Sequence, residues 1–149
     1  MRFESVTICF QEVPNEISLG LVITGCKLAC PGCHSNHTWN QHKGQELTCA
    51  SLEEMLAKYT GLITCVVFFG GEWEEENLIS LLQVVKNKKL KTALYTGQDN
   101  VSPDLQANLT FLKTGKWDRA LGGLSSRTTN QKFINVSTNE VLNHLFTEE

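Results

Sequence analysis

Three cysteines within eight residues constrain this chain more than any other feature of its sequence. Cys26, Cys30 and Cys33 follow a CxxxCxxC spacing and come directly after an apolar run, Ile17 to Thr24. Thiolates at this spacing on a tight loop can converge on one soft metal centre, and cysteine is the usual ligand of iron–sulfur cubanes. A cubane has one iron more than these three thiolates can bind, so one iron would stay open for an external ligand.

The chain has six cysteines, and the other three, Cys9, Cys49 and Cys65, are scattered. We interpret them as small apolar residues on strands or near a helix start. For the clustered three, the alternative is a structural zinc site completed by His34 or His37. Such sites usually combine two cysteine pairs, and the sequence has no second pair. Disulfides are less favoured still, because no export signal is present.

Composition indicates a globular protein, since 41% of the residues are hydrophobic and 19% are charged. The 149 residues fit one domain, which we expect to span residues 1–149. A net charge of -3 and a pI near 5.8 give no basic footprint, so nucleic acid is not an expected partner. The first residues lack a signal peptide and the apolar runs are too short to span a bilayer. We therefore expect no membrane association and a cytoplasmic location.

Apolar alternation and apolar runs predict six strands and three helices. The strands are expected at residues 5–10, 17–24, 62–69, 90–95, 109–113 and 132–136. Ser51 and Glu54 predict a capping box for a first helix, whose apolar stripe is Leu52, Met55, Leu56 and Tyr59. A second helix is predicted from residues 74–76 to 86–89, with the stripe Leu78, Leu81, Leu82 and Val85. Ser137 and Glu140 predict the cap of a C-terminal helix carrying Val141, Leu142 and Leu145.

Strands that alternate with helices predict an α/β fold with a mainly parallel sheet of right-handed βαβ units. A complete (β/α)₈ barrel takes roughly 250 residues, so we expect an open, partial (β/α) barrel. In such sheets chemistry gathers at the carboxyl ends of the strands. The cysteine loop, Gly70-Gly71-Glu72 and Thr96-Gly97 all follow predicted strands, so they should meet on one face.

The cysteine spacing resembles that of the radical S-adenosylmethionine (SAM) superfamily. Four further segments are similar to the activating proteins of anaerobic (class III) ribonucleoside-triphosphate reductases: Ile23-Thr24-Gly25, Gly70-Gly71-Glu72, Tyr95-Thr96-Gly97 and residues 129–133. Residues 33–39 also resemble pyruvate formate-lyase activating enzymes. Two positions depart from the superfamily pattern. Gly32 stands where an aromatic residue is common, and Trp73 replaces the usual proline after Gly-Gly-Glu.

The resemblance implies a [4Fe–4S] cluster held by Cys26, Cys30 and Cys33, with SAM chelating the remaining iron. One electron from the cluster would then cleave SAM to methionine and a 5′-deoxyadenosyl radical. Gly70, Gly71 and Glu72 resemble the segment that binds the SAM amino group. Gly32 and His34, which flank Cys33, would contact the adenine end of SAM. Asn130 and Gln131 either line the SAM pocket or cap a strand, and both alternatives stay open.

The resemblance also implies a protein substrate, the anaerobic ribonucleoside-triphosphate reductase, on which the radical would create a glycyl radical. A reduced protein such as flavodoxin would supply the electron. A second hypothesis is an activator of another glycyl-radical enzyme, such as pyruvate formate-lyase. A third, from a different class, is a non-catalytic iron–sulfur or zinc-binding module. An electron carrier would normally show four cysteine ligands for each cubane and would not need the Gly-Gly-Glu segment.

Overall fold

A computed structural model describes residues 1–26, 40, 42 and 44–147 of the chain. Within these residues the strands are Arg2–Cys9 (β1), Ser18–Ile23 (β2), Gln45–Glu46 (β3), Cys65–Phe69 (β4), Lys91–Tyr95 (β5), Phe111–Thr114 (β6), Lys132–Asn135 (β7) and Glu140–Val141 (β8). The α-helices are Cys49–Lys58 (α1), Glu75–Asn87 (α2) and Pro103–Gln106 (α3), and Glu72–Glu74 and Asn143–Leu145 form 3₁₀ helices. No helix in this described part is long and apolar enough to cross a membrane.

The strands form one open sheet in the order β3-β1-β2-β4-β5-β6-β7-β8. Its centre is parallel, because β2 pairs with β4, β4 with β5 and β5 with β6 in that sense. The pairs β1–β2, β1–β3, β6–β7 and β7–β8 are antiparallel. The α/β class is confirmed, but the prediction of a mainly parallel sheet is wrong. Parallel neighbours need a crossover that returns the chain to the other end of the sheet, usually through a helix. The connections between β1 and β2 and between β6 and β7, residues 10–17 and 115–131, contain turns but no such helix.

The sheet buries a different set of side chains on each face. The helix face, which α1 and α2 cover, carries Leu19, Leu21, Val66, Phe68, Leu94 and Leu112. The opposite face carries Cys9, Cys65, Val67, Ala93, Phe111 and Phe133. Val13, from the loop between β1 and β2, lies over this second face with 1% of its surface exposed, and Leu142 and Phe146 also pack there. We call it the loop face.

Helix α2 has the form that the sequence predicts. Its predicted stripe, Leu78, Leu81, Leu82 and Val85, is buried against the sheet. Acidic residues occupy its first turn and Lys86 its last turn, where each charge complements the helix dipole. Burial of each leucine contributes about 1.5–3 kcal/mol, so packing of this stripe dominates the stability of the helix.

Helix α1 begins earlier than predicted. Thr48, not Ser51, is the N-cap, and Thr48 Oγ1 accepts a 3.0 Å hydrogen bond from the backbone N–H of Ser51. Ser51 Oγ in turn accepts a 2.9 Å bond from the backbone N–H of Thr48, which closes the capping box. The predicted Ser51–Glu54 box is therefore wrong, because a hydroxyl residue three positions upstream supplies the same bonds. Leu52 and Leu56 of the predicted stripe are buried.

The predicted C-terminal helix is absent from the described residues. Glu140 and Val141 instead form β8, and Asn143–Leu145 is a single 3₁₀ turn. Hydrogen bonds from Asn143 explain this result. Its Oδ1 accepts from the backbone N–H of Phe133 at 2.8 Å, and its Nδ2 donates to the carbonyl of Gln131 at 2.8 Å. These bonds hold the segment against β7, and they outweigh the local helical spacing of the apolar residues.

Candidate functional site

The ends of the four parallel strands bring the predicted site segments to one edge of the sheet. Strands β2, β4, β5 and β6 run in the same direction, so the residues that follow them lie along the same carboxyl edge. These residues are Thr24-Gly25-Cys26, Gly70-Gly71-Glu72, Thr96-Gly97 and Gly115. The prediction that these segments lie together is confirmed for the residues of each segment that the structure describes.

The cysteine loop leaves this edge at Gly25 and Cys26. Cys26 is half-buried and is the third residue after the end of β2. Four predicted site residues, Cys30, Gly32, Cys33 and His34, lie outside the described residues. Within the described ranges no three His, Cys, Asp or Glu side chains converge as metal ligands.

The Gly70-Gly71 turn depends on glycine at both positions. Their φ angles are 94° and 111°, a left-handed region that side chains rarely adopt. A Cβ atom on Gly70 would lie 2.6 Å from Cη2 of Trp73, so the indole ring would have to shift to admit one. The backbone N–H of Gly70 donates to the carbonyl of Tyr95 at 2.9 Å, which anchors the turn to the end of β5. The turn leads directly into the 3₁₀ helix that begins at Glu72.

Glu72 presents a largely buried carboxyl group at this edge. Its Oε1 accepts a 2.7 Å hydrogen bond from Thr96 Oγ1. Its Oε2 is also buried, yet has no hydrogen-bond partner among the residues that the structure describes. Burial raises the pKa of Glu72, and the Thr96 hydrogen bond, a hydrogen bond from the backbone N–H of Glu72 itself and the charge of Lys113 offset this only in part. A buried carboxylate oxygen without a donor is a suitable acceptor for a ligand N–H group.

Lys113 is a buried charged residue that the sequence analysis did not identify. It lies on the loop face of β6, with 9% of its surface exposed. Its ammonium group donates to the carbonyls of Gly115 at 2.8 Å and Thr96 at 3.3 Å. The same group lies 5.9 Å from the centre of the Tyr95 ring. The signal that could have revealed it is a lysine that follows two apolar residues in the strand sequence Phe-Leu-Lys-Thr. A lysine is seldom fully buried unless its charge is paired.

Backbone hydrogen bonds hold the residues around Glu72 and Lys113 in place. Thr96 Oγ1 accepts a 3.0 Å bond from the backbone N–H of Gln98, and the carbonyl of Gln98 accepts a 2.8 Å bond from the N–H of Gly115. The ends of β5 and β6 are thereby tied together. The hydroxyl of Thr96 is thus oriented by a backbone donor, which leaves its proton directed at Glu72.

Asn130 and Gln131 lie at the same edge, where the chain enters β7. Gln131 is buried, and its Nε2 donates to the carbonyl of Gly115 at 3.4 Å. Asn130 Nδ2 donates to the carbonyl of Lys116 at 3.1 Å. Both amide side chains therefore bind the backbone that follows β6, and these contacts brace the loop against the sheet.

A pocket with a volume of about 360 Å³ opens beside Glu72. The indole of Trp73 forms part of its wall, and the polar side chains of Gln98, Asn100 and Ser102 line it as well. The carboxyl edge thus combines a thiol, a carboxylate with an available oxygen, an ammonium group and space for a ligand. Lys113 is not among the residues that line this pocket, and its charge acts on Glu72 from the end of β6.

Comparison with known proteins agrees with the interpretation that the cysteine loop binds an iron–sulfur cluster. The family described as "4Fe-4S single cluster domain" matches residues 17–141, which include both the cysteine loop and the Gly-Gly-Glu turn. The pyruvate formate-lyase-activating enzyme of Clostridium pasteurianum is 36% identical over 78 residues, 48% of this chain and 33% of that enzyme. The chain thus matches about a third of the length of this curated relative. Because the family match covers most of the sequence, the chain belongs to the 4Fe-4S single cluster domain family.

Proposed function

We propose that the chain is a radical SAM activating enzyme that generates a glycyl radical on a partner protein. The observation that carries the proposal is the buried Oε2 of Glu72, which has no donor within the described residues and lies on the edge where the cysteine loop begins. An amino group of a ligand would satisfy this oxygen. The family match gives further support, because a 4Fe-4S cluster would be bound by the cysteine loop at this same edge.

The proposal assigns a role to each predicted site residue. Cys26, Cys30 and Cys33 would bind three irons of the cluster. Gly70 and Gly71 would let the backbone approach the ligand, and Glu72 would accept hydrogen bonds from its amino group. Gly32 and His34 would contact the adenine end. When bound, the cluster and SAM supply a carbon-centred radical by one-electron cleavage of a carbon–sulfur bond.

The described residues fit a ligand with the methionine-like end of SAM. Such an end carries both an ammonium and a carboxylate group, and the edge offers both opposite charges. Thr96 holds Glu72 by a 2.7 Å hydrogen bond, so the carboxylate is oriented before a ligand arrives. Lys113 supplies the positive charge, fixed by two carbonyls. Groups that are oriented in advance lose little entropy on binding, which favours affinity for this one arrangement.

The proposal also includes the partial barrel. Strands β2, β4, β5 and β6 would form its parallel wall, with the loop face as its interior. Val13 and Phe111 fill the lower part of that face, and Lys113 and Phe133, which pair across β6 and β7, lie above them. A reacting group would then enter at the carboxyl edge, where Glu72 and the cysteine loop meet, and not through the packed lower part.

For the protein substrate we propose the anaerobic ribonucleoside-triphosphate reductase. The similarity of four segments to activators of that reductase supports this choice: Ile23-Thr24-Gly25, Gly70-Gly71-Glu72, Tyr95-Thr96-Gly97 and residues 129–133. Pyruvate formate-lyase is a second candidate, favoured by the 36% identity to an activating enzyme of that name over 78 residues. In either case a hydrogen atom would leave the α-carbon of a glycine, so the partner would carry a stable radical.

Anaerobic reconstitution with iron and sulfide, followed by a SAM-cleavage assay, tests the activity. The expected result is release of 5′-deoxyadenosine in the presence of dithionite. Mixing with each candidate partner and recording the electron paramagnetic resonance spectrum then tests the target. A glycyl doublet on the reductase alone supports our choice, and a doublet on pyruvate formate-lyase alone replaces it with the second candidate. A reconstituted protein that holds zinc, incorporates no iron and cleaves no SAM overturns the proposal.

A further inference from the structure

The connection between β6 and β7, together with the first residue of β7, carries an excess of positive charge. Residues 116–132, which we call the basic segment, contain Lys116, Arg119, Arg127 and Lys132 but only one acidic residue, Asp118. All four basic side chains are exposed. The whole chain has a net charge of -3, so this segment is a positive surface on an acidic protein. A positive surface on an acidic protein attracts a negatively charged partner to that surface.

The basic segment is held in shape by its own hydrogen bonds. The carbonyl of Asp118 accepts from the N–H groups of Leu121 at 3.1 Å and Gly122 at 2.9 Å. Ser126 Oγ donates to the carbonyl of Leu121 at 2.8 Å, and Thr129 Oγ1 donates to that of Gly122 at 2.9 Å. The charges thus project from an ordered surface, which reduces the entropy lost when a partner binds.

The segment lies at the carboxyl edge of the sheet. It begins after Gly115 at the end of β6 and returns to the start of β7, which is antiparallel to β6. Three strand spacings, about 14 Å in all, separate β6 from β2, which leads into Gly25 and Cys26. A protein bound to the basic segment would therefore be close to the edge from which the cysteine loop emerges.

The fully exposed side chains of the segment are charged, polar or small, and its larger apolar side chains, Trp117, Leu121 and Leu124, are half-buried. Within the described residues, the exposed large hydrophobic side chains lie elsewhere: Phe10, Ile17, Leu62, Val141 and Leu145. Stable interfaces are centred on buried aromatic or aliphatic anchors, whereas transient redox complexes are small, polar and steered by charge. The composition of this surface suits a partner that binds, transfers an electron and leaves.

We infer that the basic segment docks an acidic one-electron donor protein that reduces the cluster. This inference rests on the proposed function, because it requires a redox cluster at the adjoining edge. One electron leaves the donor and enters the cluster, and no bond forms or breaks at the docking surface. The donor is recognised by its negative surface charge, with Arg119 and Arg127 among the side chains that face it.

The test measures binding of flavodoxin, used as the acidic probe, to the reconstituted protein. The double variant Arg119→Glu/Arg127→Glu reverses two charges of the segment. Lys88→Glu/Lys89→Glu is the matched control, since it makes the same change in net charge on exposed residues at the C-terminal end of α2. That end lies at the opposite edge of the sheet, because α2 runs back from the carboxyl end of β4 to the start of β5.

We expect the segment variant to raise the Kd for oxidised flavodoxin about tenfold at low ionic strength, and the control to change it about twofold or less. The difference should vanish at about 0.5 M salt, where exposed charges are screened. Equal Kd values for the two variants at low salt would overturn the inference. Unchanged circular dichroism spectra should accompany these exposed substitutions.

Dithionite separates this inference from the proposed function. A small reductant needs no docking surface, so both variants should cleave SAM with dithionite as the unaltered protein does. If the unaltered protein fails to cleave SAM with dithionite, the proposed function is wrong. If the segment variant keeps its affinity for flavodoxin but no longer forms the glycyl radical with dithionite, the segment binds the substrate protein and our inference is wrong.

Discussion

The hydroxyl of Thr96 donates a 2.7 Å hydrogen bond to Oε1 of Glu72 and so joins the ends of two adjacent parallel strands. Glu72 follows the left-handed Gly70-Gly71 turn after β4, and Thr96 directly follows β5. The contact leaves the second carboxylate oxygen of Glu72 buried without a donor in the described part of the chain. The fold thus maintains an unfavourable group at the edge where we propose that a ligand binds, which is typical of functional sites.

Replacing Glu72 by glutamine is expected to stabilise the ligand-free protein and weaken SAM binding. Burial raises the pKa of Glu72, so the folded protein holds this proton more tightly than the unfolded chain does. At neutral pH the ionised carboxylate therefore opposes folding, and a neutral amide removes that cost. Loss of the charge-assisted bond should raise the Kd for SAM roughly ten- to hundredfold. Calorimetry measures both the melting temperature and the Kd.

Glu76→Gln is the control for this experiment, because Glu76 is exposed on the first turn of α2. It should leave the melting temperature and the SAM affinity nearly unchanged. A Glu72→Gln protein that binds SAM as tightly as the unaltered protein removes Glu72 from the site.

The affinity for SAM should depend on pH through the same carboxyl group. Both carboxyl oxygens of Glu72 can accept hydrogen bonds from an ammonium group only when the carboxyl group is ionised. Because burial raises its pKa, protonation begins at a higher pH than for an exposed glutamate. SAM affinity is therefore expected to fall as the pH drops through this raised pKa. Titrations of the reconstituted protein and of Glu72→Gln over a pH series check this, and the variant should show a flatter profile.

Lys113→Met should destabilise the protein by about 1–3 kcal/mol, since it leaves buried carbonyls without a strong donor. The carbonyls of Thr96 and Gly115 both accept bonds from this ammonium group. The change also removes a positive charge that now lowers the pKa of Glu72. Chemical denaturation measures the free energy of unfolding.

Lys132→Met is the matched control for Lys113→Met, because Lys132 pairs with Thr114 on the neighbouring strand but is exposed. Its effect should stay within about 0.5 kcal/mol. Equal losses in the two variants would show that the buried ammonium group of Lys113 adds no stability of its own.

The sequence predicts the parts of the fold that depend on local patterns. In α2 the apolar stripe, the acidic first turn and the basic last turn all agree, and the helix forms as predicted. The meeting of Gly70-Gly71-Glu72 with Thr96-Gly97 also follows from sequence, because parallel pairing of β4 and β5 requires it. These predictions need no knowledge of contacts between distant side chains.

Features that depend on distant contacts escape sequence analysis. Val141, Leu142 and Leu145 have helical spacing, but Asn143 binds the backbone of Phe133 and Gln131 and holds the segment beside β7. Lys113 is buried only because carbonyls from two other turns reach its ammonium group. In both cases the backbone groups that bind these side chains are remote in sequence or belong to a turn whose geometry is set by the fold.

The six cysteines should divide into two groups when each is replaced by alanine. Loss of Cys26, Cys30 or Cys33 should abolish the reconstituted cluster, because three thiolates are the fewest that can hold it in the proposed site. Cys9→Ala, Cys49→Ala and Cys65→Ala should each retain it. Iron and sulfide analysis checks this, and a cluster lost only with Cys9 or Cys65 would contradict the assignment.

Thiol labelling gives an independent check on the second group. Burial raises the pKa of Cys9 to about 11 and that of Cys65 to about 12. Both thiols should stay protonated at about pH 8, where Cys49, which is exposed, should react with iodoacetamide first. Mass spectrometry of the alkylated protein would show the order of modification.

Gly70→Ala should destabilise the protein more than Gly61→Ala, although both glycines have a positive φ. Gly61 has a φ of 82° and open space where a Cβ would stand, so its substitution measures the backbone cost alone, about 1–2 kcal/mol. At Gly70 the new methyl group also meets Cη2 of Trp73 at 2.6 Å. The excess loss in unfolding free energy should shrink when Trp73→Leu is added, since the smaller side chain makes room. If the double variant keeps the full excess, the indole ring does not limit the turn.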